Sequence, residues 1–160
     1  MNVSFEQLTA EQAEEIAKWR YESPYQLYDY RDQPVDDVIH YLSDPAKRFF
    51  AVLRDRELIG FRSFGADGRV PGGKYEGGYL DTGGGLRPDL TGRGMGERIL
   101  KSGIEFGAEK FGTNRFRVTV AEFNERALKV CKRVGFEEQN RFNRRDDVCF
   151  VILVLDCQVS

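Results

Sequence analysis

Leu86-Arg87-Pro88-Asp89-Leu90-Thr91-Gly92-Arg93-Gly94-Met95-Gly96 is the stretch on which the rest of the chain turns. Gly92, Gly94 and Gly96 alternate, and an apolar pattern of helical period starts at once behind them. A glycine lets backbone N–H groups approach a ligand with no Cβ in the way. The first turn of a helix adds unpaired N–H groups and the positive end of the helix dipole. Together they make a seat for a phosphate or pyrophosphate.

The pattern behind the loop predicts a helix over 94–111. Met95, Ile99, Leu100, Gly103, Ile104, Ala108 and Phe111 fall on one side, and Gly112 is its stop signal. Ahead of the loop, Tyr79 to Leu86 reads as a strand interrupted by Gly83, Gly84 and Gly85, the mark of a bulge or of a close ligand. Downstream, Arg115 to Ala121 alternates as a strand, with Phe116, Val118 and Val120 on one face and Arg117, Thr119 and Ala121 on the other. Asn124 then caps a helix carrying Ala127, Leu128, Val130, Cys131 and Val134, which stops at Gly135. Phe136 to Asn143 and Val148 to Leu155 are the last two strands.

Towards the N-terminus, Phe49 to Leu53 and Glu57 to Phe64 form a hairpin around Arg54-Asp55-Arg56. Val35 to Leu42 is a short helix ended by Ser43-Asp44-Pro45, and Thr9 caps a first helix with Ala13, Ile16, Ala17 and Trp19 on its apolar side. A further strand is expected at Val3 to Leu8. Between the two helices lies Tyr21 to Tyr30, rich in tyrosine and broken by Pro24. This order predicts a single mixed α/β domain over 1–160, with a mostly antiparallel sheet and one or two parallel crossovers.

Composition bounds the function. The 160 residues are 41% hydrophobic and 31% charged, with 24 basic and 26 acidic side chains and a formal net charge of -2. That balance gives no whole-protein case for nucleic acid or for an anionic membrane surface. No apolar run is long enough to cross a bilayer, and Met1 to Glu15 is unlike a targeting peptide, so the cytoplasm is expected. Cys131, Cys149 and Cys157 have no metal-site or disulfide-framework spacing, and no metal is expected. His40, the only histidine, reads as a surface residue of the second helix, and Arg144-Arg145-Asp146-Asp147 as a charged hairpin turn.

The loop is not GxxxxGK[ST], and Gly92-x-Gly94-x-Gly96 is one residue short of a dinucleotide GxGxxG fingerprint. It resembles instead the pyrophosphate loop [QR]-x-x-G-x-[GA] of the GNAT superfamily of acyl-CoA-dependent N-acetyltransferases, at every position but the first, where Thr91 stands. Leu86-Arg87-Pro88 is similar to the apolar-x-Pro that precedes that loop. The run Asn124 to Phe136 resembles the family's second signature at Asn124, Ala127, Gly135 and Phe136. The two motifs lie in the right order, with a helix and a strand between them.

The resemblance implies a GNAT-like sheet flanked by helices, whose fourth and fifth strands splay into a V-shaped cleft. It implies that backbone around Thr91, Gly92, Arg93, Gly94, Met95, Gly96 and Glu97 holds the pyrophosphate of acetyl-CoA. The Gly84, Gly85 and Leu86 backbone would pair with the pantetheine arm, Asn124 would hydrogen-bond that arm, and a strand amide would polarise the acetyl carbonyl. Cys131 stands where the family often has a tyrosine that protonates the departing thiolate. A thiol, with a reference pKa of about 8.5 against about 10 for a phenol, retains a proton to give; Tyr28 or Tyr30 is the alternative. Asp81, with Glu76 and Glu122 behind it, is the expected base for the amine, and Tyr25, Tyr28 and Tyr30 lie in the region that lines the family's acceptor pocket. The implied activity is acetyl transfer to a primary amine, on a small molecule or a peptide, by direct attack in a ternary complex. The alternative is a non-catalytic acyl-CoA-binding or sensing module. Homodimers are common in the family.

Overall fold

Strand β2 (Phe49–Arg54) is apolar at nearly every position, which suits a strand covered on both faces. Phe49, Ala51 and Leu53 face one layer of core, with helices α1 (Ala10–Ala17) and α2 (Val35–Ser43). Phe50 and Val52 face the other, with helices α3 (Gly96–Phe111) and α4 (Glu125–Val134). The computed structural model describes residues 2–157. Among them no helix is long and apolar enough to cross a membrane.

The remaining strands are β1 (Val3–Gln7), β3 (Glu57–Phe64), β4 (Leu80–Leu86), β5 (Arg115–Ala121), β6 (Glu137–Asn143) and β7 (Cys149–Asp156). They form one sheet in the order β1-β2-β3-β4-β5-β7-β6. Every neighbouring pair is antiparallel except β4 and β5, which α3 connects. The capping box at Thr9 closes with Gln12, as the side chain of each residue accepts from the other's backbone N–H. Helix α3 starts at Gly96, two residues later than the pattern predicts, because Gly94 is left-handed with φ 78° and cannot continue a helix.

The parallel contact is short. Leu80 pairs with Phe116 and Asp81 with Arg117, and there it ends. Beyond that point β4 is bonded only to β3 and β5 only to β7, so the two strands diverge and leave a V-shaped gap. At the apex Arg117 donates from Nε to Asp81 Oδ1 at 2.6 Å and from Nη2 to Oδ2 at 2.8 Å. Both side chains are 1% exposed. Arg117 Nη1 also donates to the carbonyl of Glu76 at 2.7 Å, and Arg69 Nε gives Asp81 Oδ2 a second donor at 2.8 Å. The rings of Tyr75 and Tyr79 lie on the Arg117 guanidinium at 4.9 and 5.7 Å.

Two findings follow for residues read above from the sequence. Arg117 lies on the strand face that alternation assigns to the less apolar side, yet it is fully buried, paired to a residue distant in sequence. Asp81, expected as a base in the cleft, sits at the apex with both oxygens already accepting from guanidinium groups. Asp81→Asn is expected to lower the unfolding free energy by about 3–5 kcal/mol, since it leaves a buried arginine without its counter-charge. Urea denaturation measures this.

Candidate active site

The gap between β4 and β5 opens into a cleft of about 460 Å³. The hydrogen-bond phase of β4 decides what faces it. Arg87 N–H donates to the carbonyl of Ile59, so alternate residues back from Arg87 point to β3. Gly84 and Leu86 therefore direct their N–H groups into the gap. Glycine at position 84 is required by space: a Cβ there would lie 2.4 Å from the carbonyl oxygen of Phe61.

Two tyrosines from the segment before α2 close the edges that the splay leaves open. Tyr21 donates its hydroxyl to the carbonyl of Leu86 at 2.6 Å. Tyr28 accepts at its hydroxyl from the N–H of Ala121, on β5, at 3.1 Å. Burial pushes both phenols above the ordinary tyrosine range. Tyr21 carries no sequence signal that separates it from its neighbouring tyrosines; only the register of β4 identifies it.

The loop at the mouth of the cleft has Gly92 and Gly94 in the left-handed region, at φ 73° and 78°. The space where a Gly94 Cβ would sit is open, and no side chain caps α3, so the amides of its first turn remain available. Arg126, Lys129 and Arg133, from α4, line the same cleft. Among the described residues none of these three forms an ion pair. Uncapped amides beside unneutralised cations make an anion seat. Asn124 caps α4 by accepting from the N–H of Ala127 at 3.2 Å, and its side chain also hydrogen-bonds the Tyr28 hydroxyl, which leaves one N–H of its amide for a ligand. It also lines the cleft.

Deeper in, the floor includes Arg62, Thr82, Leu100, Val118 and Cys131. Cys131 is buried, and burial pushes its thiol up to about 11. Arg62 donates from Nη1 to the hydroxyl of Thr82 at 3.1 Å, while its Nε is buried with no partner. Among the described residues, no Asp or Glu lines the cleft. Asp81 lies outside it. Glu122 pairs with Arg141 on the exposed surface, and Glu76 contributes its backbone carbonyl to Arg117. Tyr30 packs against the core formed by α1 and α2, apart from the cleft.

Residues 11–136 match the family model described as acetyltransferase (GNAT) family. No curated protein matches the chain by sequence. Among solved structures, the aminoglycoside acetyltransferase AAC(6')-Ib in complex with ribostamycin and coenzyme A superposes with a TM-score of 0.76 at 19% identity, covering 98% of this chain and 94% of that one. An acetyltransferase of the same family from Bacillus anthracis gives 0.73 at 13% identity, over 97% and 95% of the two chains. A spermidine N-acetyltransferase SpeG chimera from Vibrio cholerae and hSSAT gives 0.70 at 15%, again over 97% and 95%. At such identities the likeness is one of fold.

Tyr28→Phe removes the acceptor of the buried Ala121 amide and is expected to destabilise the fold by about 1–3 kcal/mol. Chemical denaturation of the two proteins side by side checks this.

Proposed function

Since the chain belongs to the acetyltransferase (GNAT) family, we propose that it transfers an acetyl group from acetyl-CoA to a primary amine by direct attack within a ternary complex. The observation that carries this reading is the pairing of an open strand edge with an anion seat in one cleft. The uncapped amides of α3, the Gly92–Gly94 loop and Arg126, Lys129 and Arg133 suit a pyrophosphate. The backbone of Gly84, Gly85 and Leu86, with Asn124 opposite, suits a pantetheine arm laid along β4 as an added strand would be. The inward N–H groups of Gly84 and Leu86 can polarise a thioester carbonyl. The aminoglycoside acetyltransferase of the same fold was crystallised with coenzyme A, in keeping with this ligand.

The residues bear on the route. Cys131 is the one thiol lining the cleft, and burial keeps its proton in place at neutral pH, which disfavours an acyl-cysteine intermediate. Direct attack by the amine follows. The same burial makes Cys131 a reluctant proton donor, so we assign it a weak S–H contact rather than full protonation of the leaving group. Tyr28 is read as satisfying the β5 edge through the Ala121 N–H, and Asp81 as a buried structural partner of Arg117. With no Asp or Glu among the described residues that line the cleft, the ammonium proton of the acceptor is read as leaving to water. Catalysis then rests on positioning and carbonyl polarisation.

The absence of Asp and Glu from the lining also bears on the acceptor. Kanamycin and spermidine, named for relatives of the same fold, are polycations. With no Asp or Glu among its described lining residues, a cleft bordered by Tyr21, Tyr25 and Tyr28 suits a neutral or acidic amine better than a polycation, on a small molecule or a peptide. The missing carboxylate is also what favours the second reading, an acyl-CoA-binding module without turnover.

Calorimetry with coenzyme A and saturation kinetics with a panel of amines test these readings. Binding with turnover of a neutral or acidic amine is expected. Binding without turnover of any amine selects the second reading, and no binding rejects both. Gly94→Val, at a left-handed position on the loop, is expected to raise KM for acetyl-CoA about tenfold or more, the equivalent of about 1.4 kcal/mol, with KM for the amine nearly unchanged. Cys131→Ala is expected to leave the shape of the pH–rate profile intact through neutrality; loss of its alkaline limb would restore Cys131 as the proton donor.

A further inference from the structure

Arg62 is the charged residue of the cleft floor, and the proposed reaction leaves its charge unused. It stands on β3, directly across from Gly84 of β4 and Phe50 of β2. Its side chain is threaded between two glycines. A Cβ on Gly103 of α3 would lie 2.9 Å from Arg62 Cδ, and one on Gly84 would lie 3.2 Å from its Cζ. Around it β4 supplies Thr82 and Gly84, α3 supplies Gly103, β2 supplies Phe50, and α4 supplies Cys131, the one titratable group whose charge reaches it. Among the described residues no carboxylate pairs with it. Among the described residues its buried Nε has no partner, and its one hydrogen bond is to a neutral hydroxyl. Burial pushes the guanidinium down to about 10, so it still carries its charge at neutral pH.

An unpaired buried cation works against folding, and chains retain one where a ligand brings the opposite charge. The place of Arg62 says which charge. On the acetyl-CoA reading above, on which this inference rests, the pantetheine arm enters at the Gly92–Gly94 loop and runs down β4 from Leu86 towards the apex. Its reactive end then comes to the level of Thr82, the first residue beyond the paired register, where Arg62 and Cys131 lie. We propose that Arg62 is a catalytic residue, its guanidinium holding the sulfur of the departing coenzyme A thiolate. The amine nitrogen uses its lone pair to form the C–N bond to the acetyl carbon. The C–S bond breaks and its electron pair goes to sulfur, while the nitrogen gives its proton to water. The new negative charge rests against Arg62, and Cys131 keeps its proton. A cation thus stabilises the leaving group where no strong proton donor stands.

The test titrates the thiol of enzyme-bound coenzyme A through the ultraviolet absorbance of its thiolate, with desthio-coenzyme A as the blank. In the unmodified protein the bound thiol is expected to ionise at lower pH than free coenzyme A, with a thiolate fraction about tenfold larger at a given pH below its midpoint. Arg62→Met fills the same space without the charge and is expected to abolish that shift. It should lower kcat about tenfold or more, leave KM for acetyl-CoA within about twofold, and melt at the same temperature or higher. Arg62→Lys should recover most of kcat. An identical thiol titration in the unmodified protein and Arg62→Met overturns the proposal, as does a large drop in melting temperature that accounts for the lost activity. If Arg62→Met instead abolishes use of succinyl-CoA and spares acetyl-CoA, the charge serves a carboxylate on the acyl chain and the thiolate role falls. Failure of the unmodified protein to bind coenzyme A removes the function reading itself, whereas binding with an unshifted thiol removes this inference alone.

Discussion

The Asp81–Arg117 ion pair sits where the two halves of the sheet meet and where their pairing stops. A parallel pair of strands with only two residues in register has little hydrogen bonding to hold it. The bidentate contact adds a charged clamp at that point, supported by Arg69 and by the rings of Tyr75 and Tyr79. Beyond the clamp nothing draws β4 and β5 together, so their facing edges stay open. The cleft is therefore a consequence of where pairing ends, and the residues that line it are those whose strands have already parted.

Open strand edges carry backbone groups that need partners. Here Tyr21 and Tyr28 take one group on each edge, and the inward N–H groups of Gly84 and Leu86 remain for a ligand. Glycine makes this edge approachable. At position 84 no side chain fits against the neighbouring strand, and in the Gly92–Gly94 loop the backbone turns through left-handed conformations just before α3. The same lack of a Cβ at Gly84 and Gly103 gives Arg62 room to lie beneath the strand.

Charge is distributed one-sidedly in the cleft. Arg126, Lys129 and Arg133 lie towards the loop, Arg62 lies on the floor, and no Asp or Glu joins them. The chain as a whole is slightly acidic, at -2, so this is a local concentration against the overall balance. A reaction run there has cations to meet negative charge, on the ligand or developing during transfer. Among the described residues, no Asp or Glu lines the cleft to draw a proton from an amine.

Much of the fold was legible in local pattern. The alternation over Arg115–Ala121, the Asn124 cap with its Gly135 stop, the Thr9 cap and the helix behind the glycine loop all depend on residues within a few positions of one another, and each formed within a residue or two of its expected bounds. So the sequence alone determined the order of elements, the glycine loop at a helix start and the resemblance that named the family. It could not determine which charges are buried. Arg62 and Arg117 each interrupt an apolar strand, a visible signal, but whether such a residue faces solvent, a counter-charge or a cleft depends on segments far away in the chain. Asp81 read as a base because its partner, Arg117, is brought beside it only by the β4–β5 register. The isolation of Arg62 is not legible in the sequence, because it is a property of the packed environment, in which the described elements around it supply no opposite charge. Only the tertiary structure shows the surroundings of these two side chains, and the energy of a buried charge is set by what is packed around it.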